Sequence, residues 1–230
     1  MVVSKEYGER IGTAIAQSHG TGVLVSESAC PDAVRKAYDQ AFLNVKYELM
    51  ATGGTSILVS AIDASASACT VAVNLAILAA KDGESVVLID GDPHTPSLES
   101  LFSLTAPLGF KNLVQEESPD FVAALNALPD VPGLHLVGAG TGAPIPGGIG
   151  RAKHLHEVLV QLKKSVDRLI VVGAPILAQV DGLDLARLVD GVVIAVTPGK
   201  THRLDAARAR ELLDRVKAPL VGVVLTGKPI

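Results

Sequence analysis

The chain has 230 residues, 48% of them hydrophobic, 19% charged and only 3% aromatic, with no tryptophan. That balance excludes a disordered chain and suffices for a core of Val, Leu, Ile and Ala. A net charge of −4 and a pI of about 5.8, with no basic stripe, exclude a broad phosphate-backbone surface and so a nucleic-acid partner.

Residues 1–30 are punctuated by Gly and Ser and are expected to form an N-terminal arm, with residues 31–230 making one domain. The N-terminus has no apolar signal core, and no apolar run reaches the length of a membrane span. Residues 31–50 place Val34, Tyr38, Phe42, Val45 and Leu49 at helical spacing, with Pro31 and Asp32 at the start. TSILVSA predicts a buried strand, IDASASAC a loop of small residues, and TVAVNLAILAAKDG a helix closed by Gly83. SVVLIDGD predicts a second strand, and PHTPSLESLF a turn into a short helix. Residues 105–133 read as a polar loop with one helix. GLHLVGAG predicts a third strand, followed by a Pro/Gly-rich loop and a helix over 151–166. RLIVVGAP, GVVIAVTPG and LVGVVLTG predict three more strands, separated by helices at VDGLDLARLVD and THRLDAARARELLDRV. Strands alternating with helices predict right-handed βαβ units: an α/β fold, a mostly parallel central sheet with helices on both faces.

In such a sheet ligands bind at the carboxyl ends of the strands, and the first strand–loop–helix is the usual phosphate cradle. The cradle needs glycines, a Lys for the β/γ-phosphates and a Ser or Thr hydroxyl for Mg²⁺. The segment ILVSAIDASASACTVAVNLAILAA resembles the P-loop region of the bacterial tyrosine kinases that control capsule and exopolysaccharide synthesis, and of the wider deviant-Walker ATPases that position septa and plasmids. The resemblance covers residues 31–230 and implies a P-loop NTPase-like fold. Ser60 and Ala61 before the loop, and Thr70, Asn74 and Leu75 after it, match the family. The loop Ala64, Ser65, Ala66, Ser67, Ala68, Cys69, Thr70 is the vestige of the phosphate loop. Aligned on Thr70, Ala66 and either Ser67 or Ala68 stand where Gly and Lys belong, and Cys69 replaces the metal-holding hydroxyl. No lysine lies between Met50 and Lys81. Losing the Lys and the hydroxyl together weakens ATP by about 3–5 kcal/mol, on the order of 10²–10³-fold.

SVVLIDGDPHTPSL resembles the family's second acidic motif. Asp90 and Asp92 match its two acids, and His94 and Thr95 stand where the family has a basic pair. The resemblance makes Asp90 and Asp92 the residual catalytic candidates; read from the residues alone, they cap the following turn and helix. RLIVVGAPILAQVDGLDLARLVDGVVIAVTPGKT resembles the third acidic motif, but Val172 stands at the position of its Asp, and Val cannot ligate Mg²⁺. Asp181, Asp190, Gly191, Lys200 and Thr201 still match. The family's ring-building helix motif, Glu-x-x-Arg-x-x-Arg, falls on Lys36, Asp39 and Phe42, and Thr226 stands at a base-contacting Asn. The resemblance also implies a tyrosine-rich C-terminal tail; here Tyr7, Tyr38 and Tyr47 lie near the N-terminus and the sequence closes on TGKPI.

Other signals carry less. VGAGTGA is spelled like a dinucleotide fingerprint, but Pro144 and Pro146 block the helix that should follow. His154 and His156 are two apart on a helix and make a poor metal pair. Cys30 and Cys69 form neither a disulfide framework nor a zinc site and fit a reducing compartment. Cys69, at a helix start, is either a reactive thiol or a small buried filler.

The resulting expectation is a catalytically inactive tyrosine-kinase-like protein, a cytoplasmic regulatory partner in capsule or exopolysaccharide synthesis, with no cofactor and ATP·Mg held weakly if at all. The resemblance implies as partners a membrane polysaccharide co-polymerase (a chain-length regulator) or an active kinase paralogue, recruitment to the inner face of the membrane, and homo-oligomers. Two alternatives stand beside it: a divergent ATPase or tyrosine kinase working through Asp90, Asp92 and Lys200, and an ATP-driven positioning switch.

Overall fold

The computed structural model describes residues 13–14, 24–26, 30–64, 67–104, 108–141 and 144–227. The apolar runs become the long strands β2 (Ser56–Ala61), β3 (Val86–Asp90), β5 (Leu134–Val137), β6 (Arg168–Val172), β7 (Gly191–Val196) and β8 (Leu220–Leu225). Two short edge pieces join them, β1 (Thr13–Ala14) and β4 (Asn126–Ala127). The strand order is β1-β8-β7-β2-β6-β3-β5-β4, with β4–β5 antiparallel and all other described pairs parallel.

Side chains alternate across a strand, so each strand feeds two cores. On one face Ile57, Val59, Val86, Leu88, Ile170 and Val193 pack with α1 (Asp32–Thr52) and α2 (Ala68–Lys81). On the other, Leu58, Val87, Ile89, Leu169, Val171, Val192 and Ile194 belong to a second cluster. That cluster is covered by α4 (Phe110–Gln115), α6 (Leu155–Ser165), α7 (Val180–Ala186) and α8 (Arg203–Arg215). Helices on both sheet faces are what near-continuous apolar strands require. The helical spacing in α1 is met: Val34, Tyr38, Phe42, Val45 and Leu49 are all buried.

Three local differences from the sequence reading have physical causes. Helix α2 starts at Ala68, before Thr70, because Ser67 caps it. The single helix expected within 105–133 is instead α4, the one-turn α5 (Phe121–Ala124) and β4; Pro119 and Pro129 bracket too little chain for a long helix. Within the segment read as an arm, Thr13 and Ala14 pair with Val223 and Val224 of β8. Val25 is fully buried, its N–H donates to Asn74 Oδ1 at 2.8 Å, and its carbonyl accepts from Arg35. Cys30 is buried and Leu24 packs against the same core; residues 1–12, 15–23 and 27–29 lie outside the described residues. No described helix is long and apolar enough to cross a membrane.

The amino ends of the strands are tied by charge. Asp190 Oδ2 accepts from the N–H groups of Thr55 (3.0 Å) and Ser56 (2.9 Å) and from Ser56 Oγ (2.8 Å), while Oδ1 accepts from Lys163 Nζ at 3.0 Å. Burial pushes this carboxyl up, but the bonds from Ser56, Thr55 and Lys163 together outweigh it and hold Asp190 below the usual carboxylate range. Its stabilising contribution is therefore present above the unfolded-state pKa of about 4 and is lost as pH falls through the lower folded value. Asp190→Asn is expected to cost about 1–2 kcal/mol at pH 7, discounted for partial exposure, with the deficit shrinking below about pH 4. Urea titrations of both proteins across that range check this, and a deficit that grows in acid would contradict it.

Candidate active-site cavity

The carboxyl ends of β2, β6 and β3 meet side by side. Val59 and Asp90 are both in register with Val172, so the position where the family's third acid is expected lies directly beside Asp90. The turn between them is tight. A Cβ on Gly91 would sit 2.8 Å from the Val172 carbonyl, which explains a glycine between the two acids. Ser60 Oγ donates to the Ala174 carbonyl at 2.7 Å and fixes the chain after β6. Above these ends lies a cavity of about 330 Å³, lined by Ala61, Ala64, Ser67, Ala68, Cys69, Asp92, Thr95, Ser97, Val172, Gly173 and Pro175. Among the described residues, Asp92 is the one charged side chain in that lining, and no Lys or Arg contributes to it.

The loop read as a vestigial phosphate cradle forms one wall. Ala64, Ser67, Ala68 and Cys69 line the cavity, Thr70 is buried just behind, and Ser65 and Ala66 lie outside the described residues. At the start of α2 the Ser67 side chain does what a bound anion would otherwise do. Its Oγ accepts from the Thr70 N–H at 3.3 Å and lies 2.8 Å from Thr70 Oγ1. Burial pushes the Cys69 thiol up to about 11; a hydrogen bond with Ser97 opposes this, and Asp90 and Glu99 add to it. The thiol is therefore protonated at neutral pH.

The two retained acids bond to their own loop. Asp90 is 1% exposed. Its Oδ2 accepts from the N–H groups of Ser97 (2.6 Å) and Leu98 (2.9 Å), the first turn of α3 (Leu98–Phe102), and its Oδ1 accepts from the Asp92 N–H at 3.1 Å. Burial raises its carboxyl above the ordinary range, against the opposing pull of the Leu98, Ser97 and Asp92 N–H groups. Asp92 Oδ1 accepts from the N–H groups of His94 (2.9 Å) and Thr95 (3.2 Å), and its Oδ2 from Thr95 Oγ1 at 2.6 Å.

The sequence alone did not reveal the link beside these acids. His94 Nε2 lies 2.8 Å from Asp181 Oδ2, and the Asp181 side chain, 2% exposed, also accepts from the Ile149 N–H. The β3–α3 loop, the loop before α6 and the first turn of α7 thus meet at one buried carboxylate. Gly148, at φ +88°, lies so close to Asp181 Oδ1 that no side chain fits there. Asp181 sits 87 residues from His94, so only tertiary folding could expose the pair.

Other flagged residues fall elsewhere. Asp190 serves the amino ends of the strands, opposite the cavity. Lys200 is exposed on the β7–α8 loop and does not line the cavity. Thr226 is buried, 3.1 Å from Thr197 Oγ1. In α1, Lys36 and Asp39 face solvent, but Phe42 points into the core with Lys46 over its ring at 5.7 Å. Among the described residues no group of three or more His, Cys, Asp or Glu is placed to hold a metal ion.

The strand order and the loop at the carboxyl ends define a P-loop NTPase-like α/β fold. The chain superposes on the cell-division ATPase MinD of Pyrococcus furiosus with a TM-score of 0.62 at 19% identity, covering 75% of this chain and 71% of that one. It superposes on the kinase domain of Escherichia coli tyrosine kinase ETK with a TM-score of 0.82 at 16% identity, covering 99% of this chain and 88% of that domain. In sequence it is 30% identical over 161 residues to the tyrosine-protein kinase YwqD of Bacillus subtilis, across 70% of this chain and 67% of that protein. No family model matches the chain. The chain belongs to the bacterial tyrosine-protein kinases.

The raised Cys69 value has a chemical consequence. At pH 7.5 its thiolate fraction is expected to be about two orders of magnitude below that of a free thiol, and its alkylation by iodoacetamide correspondingly slow. Mass spectrometry of timed samples measures this directly, and labelling at the rate of free cysteine would contradict it.

Proposed function

We propose that this chain is a member of its family that no longer transfers phosphate and acts as a regulatory interaction partner in capsule or exopolysaccharide synthesis. The observation that carries the reading is the state of the cavity wall. Val172 stands in register with Asp90, and both retained acids already accept the N–H groups of their own turn.

Mg·ATP needs a cation against the β/γ-phosphates, a hydroxyl and carboxylates free to reach the metal, and open N–H groups at the helix start. The residues present do not fit that requirement. The described lining residues include an acid and no cation, a protonated thiol replaces the hydroxyl, and the first turn of α2 is capped by Ser67. A triphosphate brought into this cavity meets like charge in a partly desolvated space, with no cation among the described lining residues to offset it. What remains useful is the frame itself, offered to a membrane polysaccharide co-polymerase or to an active kinase paralogue at the inner face of the membrane.

Isothermal titration with Mg·ATP tests the reading. The expected result is no saturable heat, corresponding to a dissociation constant weaker than about 1 mM. Binding in the low micromolar range would overturn it.

A further inference from the structure

Among the described residues, the charge of Asp92 has no counter-charge. Asp92 is 5% exposed, lines the cavity of about 330 Å³ at the carboxyl ends of the strands, and forms no ion pair with any described residue. Partly buried carboxylates elsewhere each meet a cation: Glu84 meets Arg168, and Asp190 meets Lys163. A buried carboxylate is costly unless a positive charge stands against it. The donors on Asp92 are dipoles of its own turn, the His94 and Thr95 N–H groups on Oδ1 and the Thr95 hydroxyl on Oδ2. A carboxylate accepts about four hydrogen bonds, so one place is left, on Oδ2. The rest of the lining is small or apolar. Ala64, Ala68 and Gly173 leave space, and Ala61, Val172 and Pro175 give an apolar wall. The volume lies within the range of small-molecule sites, about 300–1,000 Å³. An anion is repelled there, and a neutral molecule leaves the charge unmatched. A divalent metal finds no set of three ligating side chains among the described residues and has to break the turn to reach Asp92. An ammonium group needs only the open place on Oδ2.

We propose that this cavity binds a small organic cation, an alkylammonium compound whose charged nitrogen donates to Asp92 Oδ2 and whose short apolar part lies against Ala61, Val172 and Pro175. The inference rests on the reading that the cavity no longer takes Mg·ATP, and it gives that site a ligand of the opposite charge. The carboxylate fixes the sign of the ligand, and the apolar wall fixes the character of its tail.

The test titrates n-butylammonium chloride into the ¹⁵N-labelled full chain at constant ionic strength and follows amide shifts, with n-butanol and sodium butyrate as probes of the same shape. The expected result is saturable shifts confined to the amides around Cys69, His94 and Thr95, with a dissociation constant on the order of 1 mM. Butanol is expected to bind about tenfold more weakly or worse, and butyrate not at all. Asp92→Asn removes the charge. Ala64→Lys places a cation at an exposed position of the lining without touching the core. Each is expected to weaken n-butylammonium by about tenfold or more, and if Asp92→Asn disturbs its turn, Ala64→Lys still decides. The amide spectra confirm that each variant is folded. No saturable shifts, equal binding of n-butanol, or binding unchanged in Ala64→Lys would each overturn the proposal. So would binding of an acetylated lysine peptide without binding of n-butylammonium; that outcome assigns the cavity to a partner's side chain. A Mg·ATP titration on the same samples separates the two readings. Tight ATP binding together with saturable n-butylammonium binding overturns only the non-catalytic reading, and binding of neither ligand overturns only this one.

Discussion

The carboxylate of Asp90 stands at the end of β3 with almost no access to water, and three backbone N–H groups converge on it. A buried charge in that position is tolerated only when its lone pairs are filled, and here the turn fills them. The same bonds hold the start of α3 against the sheet and set the direction in which Asp92 leaves the strand. Asp92 in turn folds the next three residues around itself, and this brings His94 to Asp181. One carboxylate thus organises the loop that forms one side of the cavity, and Asp181 ties that loop to two others.

Electrostatic balance separates the two ends of the sheet. At the amino ends two ion pairs stand out: Asp190 with Lys163, and Glu84 with Arg168 through two bonds at 2.9 and 3.1 Å. At the carboxyl ends, where a P-loop protein concentrates positive charge, the described cavity wall carries none. The acids there are satisfied by dipoles from their own turn. An acid that already accepts several N–H groups has little left to offer a metal, and breaking those bonds to reach one would cost about 1–3 kcal/mol for each donor stranded.

Much of the fold could be read from the sequence because its strands are unbroken apolar runs and its helices keep a clear period. The spacing of Val34, Tyr38, Phe42, Val45 and Leu49 placed α1 and its buried face correctly. The two-residue strands β1 and β4 were missed because a pair of residues has no period to detect. The start of α2 was read too late because Ser67 looked like one more small loop residue rather than a cap. Asp90 and Asp92 were singled out from their spacing after a strand, but their hydrogen bonds come from loop geometry that spacing does not fix. Phe42 lies on the core-facing period of α1 and also where the family's ring-building motif has its last Arg; its burial agrees with the core period. The His94–Asp181 link joins residues far apart in sequence and had no local signal.

Thermal unfolding of the wild type and Asp92→Asn, each with and without millimolar Mg·ATP, tests the central claim most directly. If the acids serve the fold, Mg·ATP leaves the wild-type midpoint within about 1 °C, and the substitution lowers it by the same amount in both conditions. A rise of several degrees in the wild type that vanishes in Asp92→Asn would show that Asp92 holds metal and nucleotide, and would contradict the account.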